Sequence, residues 1–211
     1  MKLDHVSYAV SNQEFADTVQ RLGSLLGSAM RDGGKHPRFG TKNFVLPLQG
    51  GMYFEVVTAL DHPAADQAPF GKAVRSRATE GGGWLGWVVS VSNLPAVEKR
   101  LGRKAVEGHR VRPDGYDLKW RQLGVNDLIA DPQLPFFIEW DSPQEEHPSK
   151  DADHVFLKSI EISGDEILLA DFLGEPANHP LENIDVVWVD SETQGVVAVT
   201  FETAAGTFRI E

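Results

Sequence analysis

The chain repeats itself. His5-Val-Ser-Tyr-Ala-Val-Ser-Asn12 recurs as Gly86-Trp-Val-Val-Ser-Val-Ser-Asn93, and more faintly as Leu157-Lys-Ser-Ile-Glu-Ile-Ser-Gly164. Each copy alternates like a strand and then offers a helix start, so the fold has to be assembled from like supersecondary units. Ser11 with Glu14, and Ser163 with Glu166, are spaced as capping boxes, and Asn93 can cap the middle helix directly. Phe15, Val19, Leu22 and Leu26 then fall on one helical face, as do Leu94, Val97 and Leu101. A Leu-Gly pair closes each helix, at Leu22-Gly23 (or on to Gly27), Leu101-Gly102 and Leu173-Gly174.

Strands resume after each helix, broken by turns such as Gln49-Gly50-Gly51 and Asp131-Pro132-Gln133. The unit is therefore βαβββ. Its last strand carries a glutamate: Tyr53-Phe-Glu55 in copy one, Phe137-Ile-Glu139 in copy two and Arg209-Ile-Glu211 in copy three. From Asn12 to Glu55 is 43 positions, from Asn93 to Glu139 is 46, and from Gly164 to Glu211 is 47. This reading divides the chain into two modules at about 1–62 and 82–142, an acidic linker at 143–153 and a degenerate third module at 154–211.

Composition narrows the partners. At 211 residues the chain holds one large domain or one and a half, and 41% hydrophobic with 24% charged residues is ordinary for a globular protein. A formal net charge of -11 argues against nucleic acid and anionic membrane, both of which need clustered Lys and Arg. Without cysteine there is no disulfide or thiolate chemistry, so any metal needs His, Asp or Glu ligands. Met1 to Val10 does not read as a signal peptide and no stretch reaches membrane-span length, so a cytoplasmic location is expected. Gly81-Gly-Gly83-Trp-Leu-Gly86 spells a dinucleotide fingerprint but leads into a strand, so it reads as a connector and no nucleotide cofactor is expected. No Walker A, serine-hydrolase elbow or HExxH occurs.

Two βαβββ modules, with Leu3-Asp-His5-Val opening the first and a glutamate in each closing strand, resemble the vicinal oxygen chelate superfamily and its glyoxalase-like branch. The run Gly33-Gly-Lys-His36-Pro-Arg-Phe-Gly40-Thr-Lys-Asn43 is similar to that branch too. The resemblance spans roughly 1–142. It implies an α+β glyoxalase/dioxygenase fold, with paired βαβββ modules cupping a mixed sheet around a ligand and a partial third module at the C-terminus. It further implies metal ligands at His5, Glu55 and Glu139, with Gly86 at the fourth place, and a divalent ion such as Zn, Mn, Ni or Fe(II).

Alternation alone puts Leu3, His5, Ser7 and Ala9 on one face and Val6, Tyr8 and Val10 on the other. Glu55 and Glu139, flanked by large apolar residues, each need a cation, a hydrogen-bond partner or a proton, and Arg121 is one candidate. His36 shares its His-Pro dipeptide with His62, His147 and His179, a pattern that reads as a turn marker. Candidate pocket residues are His36, Asn43, Trp84, Trp120 and Arg121, of which only one of Trp120 and Arg121 can face inward. Trp87 falls on the helix-covered face. The stretch Asp141 to Asp153 reads as a solvated linker.

The leading expectation is a small-molecule enzyme of isomerase, lyase or dioxygenase type. Its ion would polarise substrate oxygens while a carboxylate, Glu55 or Glu139, moves a proton. The alternatives are a metal-free binding or sequestering protein of the same fold and a protein-interaction module without a cavity. An unpaired third module also suggests a homodimer.

Overall fold

The computed structural model describes residues 1–176 and 179–211. The first unit comprises β1 (Lys2–Ala9), α1 (Phe15–Leu26), β2 (Arg31–His36), β3 (Thr41–Leu48) and β4 (Met52–Ala59). Two helices follow, α2 (Pro63–Gln67) and α3 (Pro69–Thr79). The second unit comprises β5 (Gly83–Ser90), α4 (Leu94–Leu101), β6 (Val106–Val111), β7 (Asp117–Leu123), α5 (Asp127–Ala130) and β8 (Phe136–Trp140). The C-terminal unit holds β9 (Phe156–Ser163), α6 (Glu166–Leu173), β10 (Asp185–Trp188), β11 (Gly195–Thr203) and β12 (Gly206–Ile210).

Local chemistry sets the helix ends. Ahead of α1, Ser11 Oγ accepts from the Glu14 N–H and donates to the Glu14 carboxylate, half of the expected capping box, and Asn93 Oδ1 accepts from the Ala96 N–H at the start of α4. In α6 the cap is Asp165, which accepts from Ile167 and Leu168. Ser163, expected there, instead donates to the Ser191 carbonyl, because β9 runs on through it. Left-handed Gly27, Gly102 and Gly174 close α1, α4 and α6.

In each of the first two units the first strand pairs in parallel with the last, putting Ser7 opposite Glu55 and Val88 opposite Phe136. β1 then runs antiparallel to β5, and Lys35 on β2 pairs with Val111 on β6. These two seams close the sheets into an eight-stranded barrel, in the order β1-β4-β3-β2-β6-β7-β8-β5. The narrower seam depends on Gly34, at φ +100°, because a Cβ there would lie 2.0 Å from the Val111 carbonyl oxygen.

The C-terminal unit has the same element order but different wiring. β9 lies between β10, parallel to it, and β11, antiparallel to it, in the sheet order β10-β9-β11-β12. Arg209 consequently pairs with Glu161 at the surface, and Glu211 is exposed. The unit lies against the outside of the barrel, where Phe201 packs on Phe54 at 5.5 Å and the Trp84 indole donates to the Ile210 carbonyl.

Two apolar layers result. An outer core joins Leu3, Val6, Phe54, Trp87 and Phe137 to Ile160, Ile162, Val199 and Phe201, below α1, α4 and α6. An inner core of Val57, Leu85, Val88, Leu118, Trp120, Phe136 and Ile138 fills the barrel and is covered by Phe70 and Val74 of α3 and Leu128 of α5. The stretch 143–153 is not solvated throughout. It folds back so that His147 and Pro148 are buried.

Candidate functional site

Most polar side chains of the barrel interior gather in its first half, with Arg110 and Gln122 facing them from the second. Glu55, 3% exposed, accepts a 2.6 Å hydrogen bond from Ser7 Oγ on one oxygen and a 2.6 Å bond from Asn43 Nδ2 on the other. Period two along β4 places it inside with Tyr53 and Val57, and strand pairing sets Ser7 beside it. His5 stacks on Tyr53 at 4.3 Å, and its Nε2 lies 3.9 Å from Glu55 Oε1.

Asp4 joins this group through a break in the alternation. The β1–β5 register shifts between Leu3 and His5, leaving Asp4 as the extra residue of a bulge. Leu3 consequently packs with Val6 in the outer core rather than sharing the face of His5 as alternation implied. Asp4 turns inward and accepts from His5 Nδ1 at 2.7 Å, Trp140 Nε1 at 2.9 Å and His147 Nε2 at 3.3 Å. Burial alone would raise the Asp4 carboxyl, but the hydrogen bonds from His147 and His5, with their charges, outweigh it and hold the group well below the usual carboxylate range.

An ionised Asp4 can only accept, so His5 must carry its proton on Nδ1 and present Nε2 toward Glu55. His147 is fixed likewise: its Nδ1 accepts from the Ser149 N–H, leaving Nε2 to donate to Asp4. A base oriented by a buried carboxylate beside a second carboxylate is competent for proton transfer.

On the facing side, His36, Phe39, Phe70, Arg110, Trp120, Gln122, Phe136, Ile138 and Trp140 complete a cavity of about 30 Å³, room for about two waters. His36 ends β2 rather than sitting in a loop, and its Nδ1 is 2.9 Å from Thr41 Oγ1. Burial, and then the charge of Arg110, push it well below the usual histidine range, so the ring is neutral. Burial, with Asp4 and Glu55 nearby, raises the Tyr53 phenol and keeps it protonated.

His5, Glu55, His36, Asn43 and Trp120 are thus brought together, whereas Glu139, Arg121 and Trp84 are not. Glu139 lies on the outer face of β8 with Phe137, where Arg121 Nη2 donates to it at 2.6 Å and Arg121 Nε to Asp141 at 3.1 Å. Trp84 belongs to the outer core. The cause is register. Phe136, Ile138 and Trp140 point inward, and Phe136 occupies the place of Glu55. Asp4, Arg110 and His147 were missed: a bulge and a long-range return of the chain leave no local pattern, although inward alternation on β6 offered a signal for Arg110.

The donor set decides how a metal would fit. Among the described residues no three His, Asp or Glu side chains form a group able to hold an ion. His5 and Glu55 are the candidates, the second half supplies Gly86 and Phe136, and both Glu55 oxygens are already engaged. Two donors fall short of the three a catalytic ion ordinarily needs.

A model of the glyoxalase-like domain matches residues 3–171, beyond the paired modules and into α6. A hypothetical protein from Staphylococcus aureus shares the fold over 100% of this chain and 98% of its own, at 15% identity and a TM-score of 0.74. Methylmalonyl-CoA epimerase from Mycobacterium tuberculosis aligns over 68% of this chain and 89% of its own, at 16% identity and a TM-score of 0.42. No curated protein matches the sequence. The chain belongs to the glyoxalase-like domain family of the vicinal oxygen chelate superfamily.

Proposed function

We propose that the protein is a metal-independent, small-molecule-binding member of this superfamily, whose ligand sits between the polar first half of the barrel and the aromatic wall opposite. One observation carries the reading. At structurally equivalent positions the second half closes its interior with Val88 and Phe136, while the first half buries Ser7 and Glu55. Hydrocarbon suffices for the fold there, and a buried carboxylate network is commonly no more stable than its apolar replacement. Clusters of this kind are functional candidates. With His5 Nε2 as base and Glu55 beside it, the chemistry the site favours is transfer of a ligand proton.

The cavity has room for little beyond a small polar group, so a larger ligand has to displace the aromatic cover of Phe39 and Phe70. Trp120 and Trp140 line the cavity and report on it by fluorescence. Screening small molecules in EDTA against the wild type, Glu55→Gln and Glu139→Gln tests the reading. Saturable binding that survives EDTA, is lost in Glu55→Gln and persists in Glu139→Gln supports it. Binding that requires an added divalent ion overturns it.

A further inference from the structure

We propose that the ligand of this barrel carries a carboxylate group and that Arg110 is the residue that binds it. The inference rests on the reading above, that the interior is a ligand site. Arg110 projects from β6 into the cavity and is 3% exposed. A guanidinium stays charged in proteins and has five N–H donors. Among the described residues its side-chain hydrogen bond is from Nη1 to Asn43 Oδ1, at 3.1 Å, and its buried Nε has no partner. Glu55 does not serve as a direct counterion. Its oxygens are held by Ser7 and Asn43, and Asn43 stands between the two charges. A buried cation in that position is costly to maintain for packing alone.

The surroundings are built for this side chain. A Cβ on Gly33 would lie 2.2 Å from Asn43 Oδ1 and 2.8 Å from Arg110 Nη1, so any larger residue there would push these two side chains out of place. The cavity of about 30 Å³ that Arg110 lines admits only a small group. A planar carboxylate matches the fork of the guanidinium. His36 next to it is neutral, so one cation meets one monovalent anion. Phe39, Phe70 and Phe136 leave the remainder of the ligand an apolar setting.

Sodium acetate and acetamide, the charged and neutral forms of one shape, separate charge from size. Both are titrated at constant ionic strength in EDTA into the wild type, Arg110→Met, Arg110→Lys and Gly33→Ala, with tryptophan fluorescence and melting temperature as readouts. Acetate is expected to bind saturably and raise the melting temperature, and acetamide to do neither. Arg110→Met is expected to lose at least tenfold in acetate affinity, with a smaller loss in Arg110→Lys, which keeps the charge but not the fork. Should Arg110→Met fail to fold, a weaker acetate response in folded Arg110→Lys or Gly33→Ala supports the assignment, and unchanged affinity in both overturns it. Equal binding of acetamide, unaltered acetate binding by Arg110→Met, preference for inorganic phosphate, or no saturable acetate response in the wild type also overturns it. Acetate binding that needs a divalent ion sinks the metal-independent reading and leaves the role of Arg110 standing.

Discussion

Where Ser7 in the first half of the barrel lies opposite Glu55, Val88 in the second half lies opposite Phe136. His5 likewise stands where the second half has Gly86, at which a Cβ would meet Leu128 at 2.9 Å. The halves share a backbone plan and the same parallel pairing of first and last strand, yet the inward side chains of that strand pair form a hydrogen-bonded network in one half and packed hydrocarbon in the other. The second half therefore acts as an internal control. It indicates what the fold requires, and the excess in the first half is what a ligand would use. Of the ligand places that the resemblance implies, those of the second half are Gly86 and the outward-facing Glu139.

The comparison breaks first at Asp4. Asp4→Ala leaves the His5, Trp140 and His147 donors without their shared acceptor and is expected to cost about 4 kcal/mol in urea unfolding. The pH dependence has a definite sign. Because the folded state holds this carboxyl below its ordinary 3.8, its contribution is complete above that pH and is lost as pH falls through the depressed folded-state value. Asp4→Asn should therefore flatten the acid limb of the stability profile.

Phe136→Ala should cost about 3 kcal/mol through the cavity it leaves and, because Phe136 lines the ligand cavity, should also weaken the ligand response. Glu55→Leu puts hydrocarbon at the matching position of the polar half. It leaves the Ser7 and Asn43 donors without their acceptor and should cost about 2 kcal/mol while abolishing the ligand response. An unchanged ligand response would remove Glu55 from the site. Glu139→Gln should cost about 0.5 kcal/mol or less, since its partner Arg121 is 39% exposed and solvent screens the pair.

Much of this was legible in the sequence, and the misreading has a simple physical form. The repeat, the βαβββ order within each unit, two glycine C-caps and the Asn93 cap of α4 follow from local patterns, as does the rule that only one of Trp120 and Arg121 faces inward, which the structure resolves to Trp120. Glu55 was reached at 43 positions from Asn12, and 43 positions from Asn93 falls on Phe136. Accepting 46 moved the match three residues along a strand, and an odd shift turns a side chain to the opposite face. Glu139 thereby looked like a partner of Glu55 when its place is outside, beside Arg121. Asp4 was hidden by a bulge, which alternation cannot anticipate. His147 was hidden by distance, because a His-Pro in an acidic stretch carries no sign that the chain returns 143 residues to meet Asp4.

The sharpest test is the metal content of protein purified without chelators or a histidine tag. The one-sided interior predicts well under one equivalent of any divalent metal per chain, with no difference between the wild type and His5→Ala or Glu55→Gln. A stoichiometric ion in the wild type that disappears in both variants would contradict the account at its centre.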